Sequence, residues 1–178
     1  LVVDTSGSMA NRMSHARAAA LQFLKTANSQ DEFFLVEFDD QPRLACDFTS
    51  RMEEIHGRLA STQAQGATAL LDALYLAIHH MRHARRQKKA LLLISDGGDN
   101  HSRYTEAEIK SLVKEADVQI HAVGIFEALG LRQTAEERAG PLFLSNLAEL
   151  TGGRLFAVNS LNDLPGTAER IATQLRSQ

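Results

Sequence analysis

The chain has 178 residues, 44% hydrophobic and 23% charged, with a formal net charge of -3 at pH 7. That length supports one substantial core, so residues 1–178 read as a single domain. The near balance of charge argues against a nucleic-acid partner, and no apolar run approaches the roughly 20 residues that span a bilayer, which argues against direct membrane insertion.

Residues 1–3 form an apolar first strand. The chain opens there with neither an initiator Met nor a signal pattern, so it is expected to be a domain excised from a longer protein. Its location is expected to be extracytoplasmic or at the cell surface. Ala16, Ala19, Ala20, Phe23 and Leu24 then repeat at helical spacing. Residues 33–38 and 43–48 are strands joined by Asp39-Asp40-Gln41-Pro42. That link is too short for a crossover, which predicts an antiparallel hairpin. Asp39 and Asp40 are read as turn residues rather than a second metal site. Cys46 is the lone cysteine and sits in a strand, not in the setting of an activated thiolate.

Leu70, Leu71, Leu74, Ile78 and Met81 mark a helix whose His79 and His83 are expected to face solvent. The basic run from Arg82 to Lys89 reads as charge at a helix C-terminus. Leu91-Leu92-Leu93-Ile94 is apolar on both faces, as in a covered parallel sheet. Further strands are read at 118–125 and 154–158. Thr105 with Glu108 and Ser160 with Asp163 fit helix N-caps. The polar segment 127–141 is expected to be a flap preceding a helix that starts near Phe143 and stops at Gly152-Gly153. The fold class is therefore α/β: a doubly wound, Rossmann-like sandwich with a six-stranded, mostly parallel sheet, one antiparallel edge strand and helices on both faces.

In such sheets ligands bind beyond the carboxyl ends of the strands. Asp4-Thr5-Ser6-Gly7-Ser8 follows the first strand, Ser95-Asp96-Gly97-Gly98-Asp99 follows the fourth, and Gly66-Ala67-Thr68 precedes the third helix. Asp4, Ser6, Ser8, Thr68 and Asp96 offer two carboxylates and three hydroxyls, hard donors suited to Mg²⁺, Mn²⁺ or Ca²⁺ rather than zinc. Two carboxylates against a dication leave a site near neutral, able to admit a carboxylate from a partner.

The Asp4-Thr5-Ser6-Gly7-Ser8-Met9 run resembles the metal-ion-dependent adhesion site of von Willebrand factor A domains, and Thr68 and Asp96 match that family's later positions. The likeness extends over nearly the whole chain and is most similar to bacterial members. It implies direct metal contacts from Ser6, Ser8 and Thr68, direct or water-mediated ones from Asp4 and Asp96, and a protein ligand presenting Asp or Glu, as in cell adhesion. It also implies that the final helix, read at 162–176, moves when ligand binds.

Asp99, Asn100 and His101 either touch a partner or shape the turn after Gly97-Gly98. Other classes remain open: a metal-assisted phosphohydrolase, or an assembly subunit of a chelatase-like machine. Against enzymatic readings, the chain has no Gly-x-Ser-x-Gly elbow, no Gly-x-Gly-x-x-Gly fingerprint and no Gly-Lys-Ser phosphate cradle.

Overall fold

Val2 and Val3 point to opposite sides of one short strand and enter two different hydrophobic cores, which requires a sheet covered on both faces. The computed structural model of the chain describes residues 1–126, 135–158, 162 and 164–176. In order, its elements are β1 (Val2–Asp4), a 3-10 turn (Gly7–Met9), α1 (Met13–Leu24), β2 (Phe33–Phe38), β3 (Pro42–Thr49), α2 (Met52–Ser61) and α3 (Leu70–Met81). They continue with β4 (Ala90–Ser95), α4 (Glu106–Glu115), β5 (Gln119–Gly124), α5 (Ala135–Leu150), β6 (Leu155–Ala157) and α6 (Leu164–Arg176).

The six strands are ordered β3-β2-β1-β4-β5-β6. All neighbours are parallel except β2 and β3, which form the antiparallel edge hairpin that the short link requires. Although β1 has only three residues, it lies centrally, pairing Val2 with Val36 on one side and Leu93 on the other. One core joins Val2, Leu91 and Leu93 to Leu74 and Ile78 of α3, Ile109 of α4 and Leu144 of α5. The other joins Val3, Leu92 and Ile94 to Ala16 and Ala20 of α1, Ile55 of α2 and Ile171 of α6. Alternation along β1 and β4 thus divides the helices between the two faces.

Local signals are reproduced at several ends. Thr105 and Glu108 close a reciprocal capping box on α4. Gly152 adopts φ 76° behind α5, with Gly153 N–H donating to the Ala148 carbonyl at 2.9 Å. Cys46 lies half-buried in β3, and burial raises its thiol pKa.

Two expectations are corrected. Helix α5 begins at Ala135, not near Phe143, and carries Pro141 inside it. Proline removes one helical hydrogen bond, but packing of this helix on the sheet and the β4 loop overrides that local signal. Residues 127–134 of the expected flap, and the Ser160–Asp163 cap, lie outside the described residues. The second correction concerns the α3 histidines. His83 is exposed as expected, but His79 is half-buried and stacked on Tyr75, with ring centroids 4.0 Å apart. Beside it, His80 packs on Phe34 and Phe48 and bonds Asp47 at 2.9 Å.

Candidate metal centre

Strand order reverses between β1 and β4: the chain winds outward through β2 on one side and through β5 on the other. Loops leaving the carboxyl ends of β1 and β4 therefore diverge at the switch point, where ligands bind in sheets of this kind. Asp4 ends β1, and the other residues expected to bind metal lie in these two loops or in the segment before α3.

The β1 loop is fixed first. Thr5 donates from its N–H and its Oγ1 to the Phe38 carbonyl, at 2.8 and 2.9 Å, which ties the loop to the end of β2. Asp4 is fully buried. Its Oδ1 accepts from Ser6 N–H at 3.0 Å and Ser6 Oγ at 2.6 Å, while its Oδ2 accepts from Ser95 Oγ at 2.6 Å. Ser8 Oγ lies 3.1 Å from Ser6 Oγ. Burial of Asp4, reinforced by the charge of Asp96, raises its carboxyl from 3.8 to about 7 despite the hydrogen bonds from Ser6 and Ser95.

The second loop brings Asp96, also buried, whose Oδ1 accepts from Gly98 N–H at 3.0 Å. Its Oδ2 meets Arg12 Nη1 at 2.7 Å in a buried ion pair. Gly97 can follow because it adopts φ 84°, a conformation that disfavours a side chain.

Thr68 is buried and held from two directions. Its N–H donates to Asn100 Oδ1 at 2.9 Å, and its carbonyl accepts from Asn100 and His101 N–H groups, both at 3.0 Å. On the other side Asp40 Oδ1 accepts from Ala67 N–H at 2.5 Å, and the Asp39 carbonyl accepts from Ala69 N–H at 2.9 Å. Gly7 N–H donates to the Gly66 carbonyl at 2.9 Å, locking this segment to the β1 loop.

The structure thus gathers the loops of Asp4, Ser6, Ser8, Thr68 and Asp96 at one edge of the sheet. Asp99, Asn100 and His101 lie beside them, with Asp99 Oδ1 accepting from Ser102 Oγ at 2.5 Å. Asn100 and His101 are exposed, and their backbone N–H groups shape the turn by bonding the Thr68 carbonyl. Three contributors were missed. Ser95 sits next to Asp96, and Asp40 was read only as a turn residue, whereas Arg12 lies 84 positions from Asp96 and no spacing rule connects them.

The donor set fits a hard dication. It is all oxygen, and among the described residues no group of three or more His, Cys, Asp or Glu side chains gathers as an alternative metal site. The Ser6 and Ser8 hydroxyls, hydrogen-bonded to each other at 3.1 Å, are already as close as two adjacent Mg²⁺ ligands, about 3.0 Å apart for bonds of about 2.1 Å at right angles.

A doubly wound α/β domain with hydroxyl- and carboxylate-bearing loops gathered at its switch point is the class that fold and site define. The chain belongs to the von Willebrand factor type A domain family, whose sequence model matches residues 1–98; such domains are generally protein-interaction modules. It is similar to inter-alpha-trypsin inhibitor heavy chain H4 of Sus scrofa, 29% identical over 126 residues, 65% of this chain and 14% of that protein. The chain therefore spans only 14% of that relative's length. In fold it resembles an aerotolerance-related membrane protein from Bacteroides fragilis, with TM-score 0.79 and 17% identity, covering 99% of this chain and 97% of the other. The vWF domain of a type V pili tip protein from Porphyromonas gingivalis matches with TM-score 0.75 and 15% identity over 99% and 93% of the two chains. Among the described residues no helix is long and apolar enough to cross a membrane.

Proposed function

We propose that this domain is a non-enzymatic recognition module that grips an acidic side chain of a protein partner through a bound Mg²⁺ or Mn²⁺. Ser6, Ser8 and Thr68 would supply neutral oxygens, and Asp4 and Asp96 the compensating charge, directly or through water. The carrying observation is the hydrogen-bonded pair of Ser6 and Ser8 hydroxyls next to the buried Asp4 carboxylate at the switch point. When bound, the cation supplies an electrophilic coordination position for a carboxylate. The chain's own part is to hold the hydroxyls in place and exclude bulk water from Asp4 and Asp96.

The names of the Bacteroides membrane protein and the Porphyromonas pilus-tip domain support an extracytoplasmic or cell-surface setting. The test is calorimetric titration of Mg²⁺ and Mn²⁺ into metal-stripped wild type, Asp4→Ala and Thr68→Ala. One-site binding to wild type, weakened at least about tenfold in both variants, is expected. A folded wild type that binds neither ion refutes the reading.

A further inference from the structure

Arg12 ends the segment that follows Asp4 of β1, immediately before α1, and is buried with its guanidinium on Asp96. A buried guanidinium costs desolvation energy, and here it meets one of the two carboxylates assigned to the cation. We propose that Arg12 sets the charge of the loaded site, weakening cation binding while strengthening capture of the partner's carboxylate. The inference rests on the metal-dependent reading above and adds to it a residue that touches neither ligand in that scheme.

Arg12 places one positive charge directly on Asp96, a carboxylate assigned to the dication. Both groups are buried, so that charge is weakly screened and acts strongly on whatever binds beside it. It repels the incoming dication, which must share Asp96 with the guanidinium. It then attracts the carboxylate that follows, because the guanidinium adds positive charge beside the bound cation. The two effects have opposite sign, so loss of Arg12 moves the two affinities in opposite directions. A general loosening of the loop would weaken both.

Mn²⁺ alone is titrated calorimetrically into wild type, Arg12→Gln and Arg12→Lys. Acetate is then titrated into the Mn²⁺-loaded proteins, and its displacement of Mn²⁺-bound water is followed by water-proton relaxation. Arg12→Gln is expected to bind Mn²⁺ roughly tenfold more tightly and acetate several-fold more weakly, the size of one screened charge acting across several ångströms. Arg12→Lys, which keeps the charge, is expected to stay within about threefold of wild type in both titrations. If Arg12→Gln does not fold, Arg12→Met, which keeps the aliphatic stem, carries the same expectation.

Shifts of the same sign, or no shift, while wild type binds Mn²⁺ overturn the role of Arg12 and leave the metal reading standing. Absence of Mn²⁺ binding by wild type removes the metal reading, and this inference with it.

Discussion

Asp4 accepts three hydrogen bonds, yet burial holds its carboxyl protonated up to about pH 7. Its pKa is raised in the folded state. Its contribution to metal-free stability is therefore complete in acid and is lost as pH rises from 3.8 through about 7. A dication that takes the proton's place reverses that loss. His121 behaves oppositely: burial, with the charge of Arg154, lowers its pKa from 6.5 to about 4, so its contribution is present at neutral pH and lost as pH falls between those values. The neutral ring is built in, with Nδ1 accepting from Arg154 N–H at 3.3 Å and Nε2 facing Gln119 Oε1 at 2.9 Å. Thermal melts with and without saturating Mg²⁺ separate the two groups, because His121 acts in both arms and cancels. Stabilisation by Mg²⁺ is expected to be larger at pH 8 than at pH 6, on the order of 1 kcal/mol, and the difference should vanish in Asp4→Asn. Equal stabilisation at both pH values in wild type would show that no proton leaves Asp4 when the ion enters.

Helix α5 and the β4 loop meet backbone to backbone, and glycine permits it. A Cβ on Gly140 would lie 2.2 Å from the Asp96 carbonyl oxygen, and one on Gly97 would lie 2.6 Å from the Gly140 carbonyl. Neither obstacle is a side-chain end that can swing away. Gly140→Ala is therefore expected to destabilise the fold by about 1–3 kcal/mol and to weaken Mg²⁺ binding by displacing Asp96. In α2, Gly57 has nothing within 4 Å of its Cβ position, so Gly57→Ala is expected to stabilise by about 0.5–1 kcal/mol. Urea unfolding of both variants checks the pair, and the account fails if the two substitutions shift the midpoint the same way. This contact also explains why the start of α5 was not legible. Read locally, Gly140 and Pro141 break a helix, and only the approach to Asp96 shows why a glycine stands there. The site was legible where hydroxyls and carboxylates follow strands, as at Asp4, Ser6 and Asp96. It was not legible where the partner is remote, as for Arg12, or where a turn residue serves another loop, as Asp40 does for Ala67.

Hairpin, parallel core and helix-covered faces were readable from the 39–42 link and the apolar run at Leu91–Ile94, because periodicity and loop length constrain them directly. The central place of β1 was not, since three residues carry almost no periodic signal and strand order is decided by pairing across the chain. That place has a consequence for cooperativity. Val2 packs with the α3, α4 and α5 face and Val3 with the α1, α2 and α6 face, so both cores depend on one strand. Truncation at either position removes fully buried apolar surface, and Val2→Ala and Val3→Ala are each expected to cost about 2 kcal/mol. The two tyrosines, Tyr75 and Tyr104, stack on each other beside α3, on the Val2 side only, with ring centroids 4.0 Å apart. Tyrosine fluorescence therefore reports one core, whereas far-ultraviolet circular dichroism reports all the helices. If β1 couples the faces, Val3→Ala shifts the tyrosine-detected urea midpoint as far as the dichroism-detected one, although Val3 lies in the opposite core. A tyrosine transition left at its wild-type midpoint, with only the dichroism displaced, would mean that the cores unfold separately and that central pairing of a three-residue strand does not bind them into one unit.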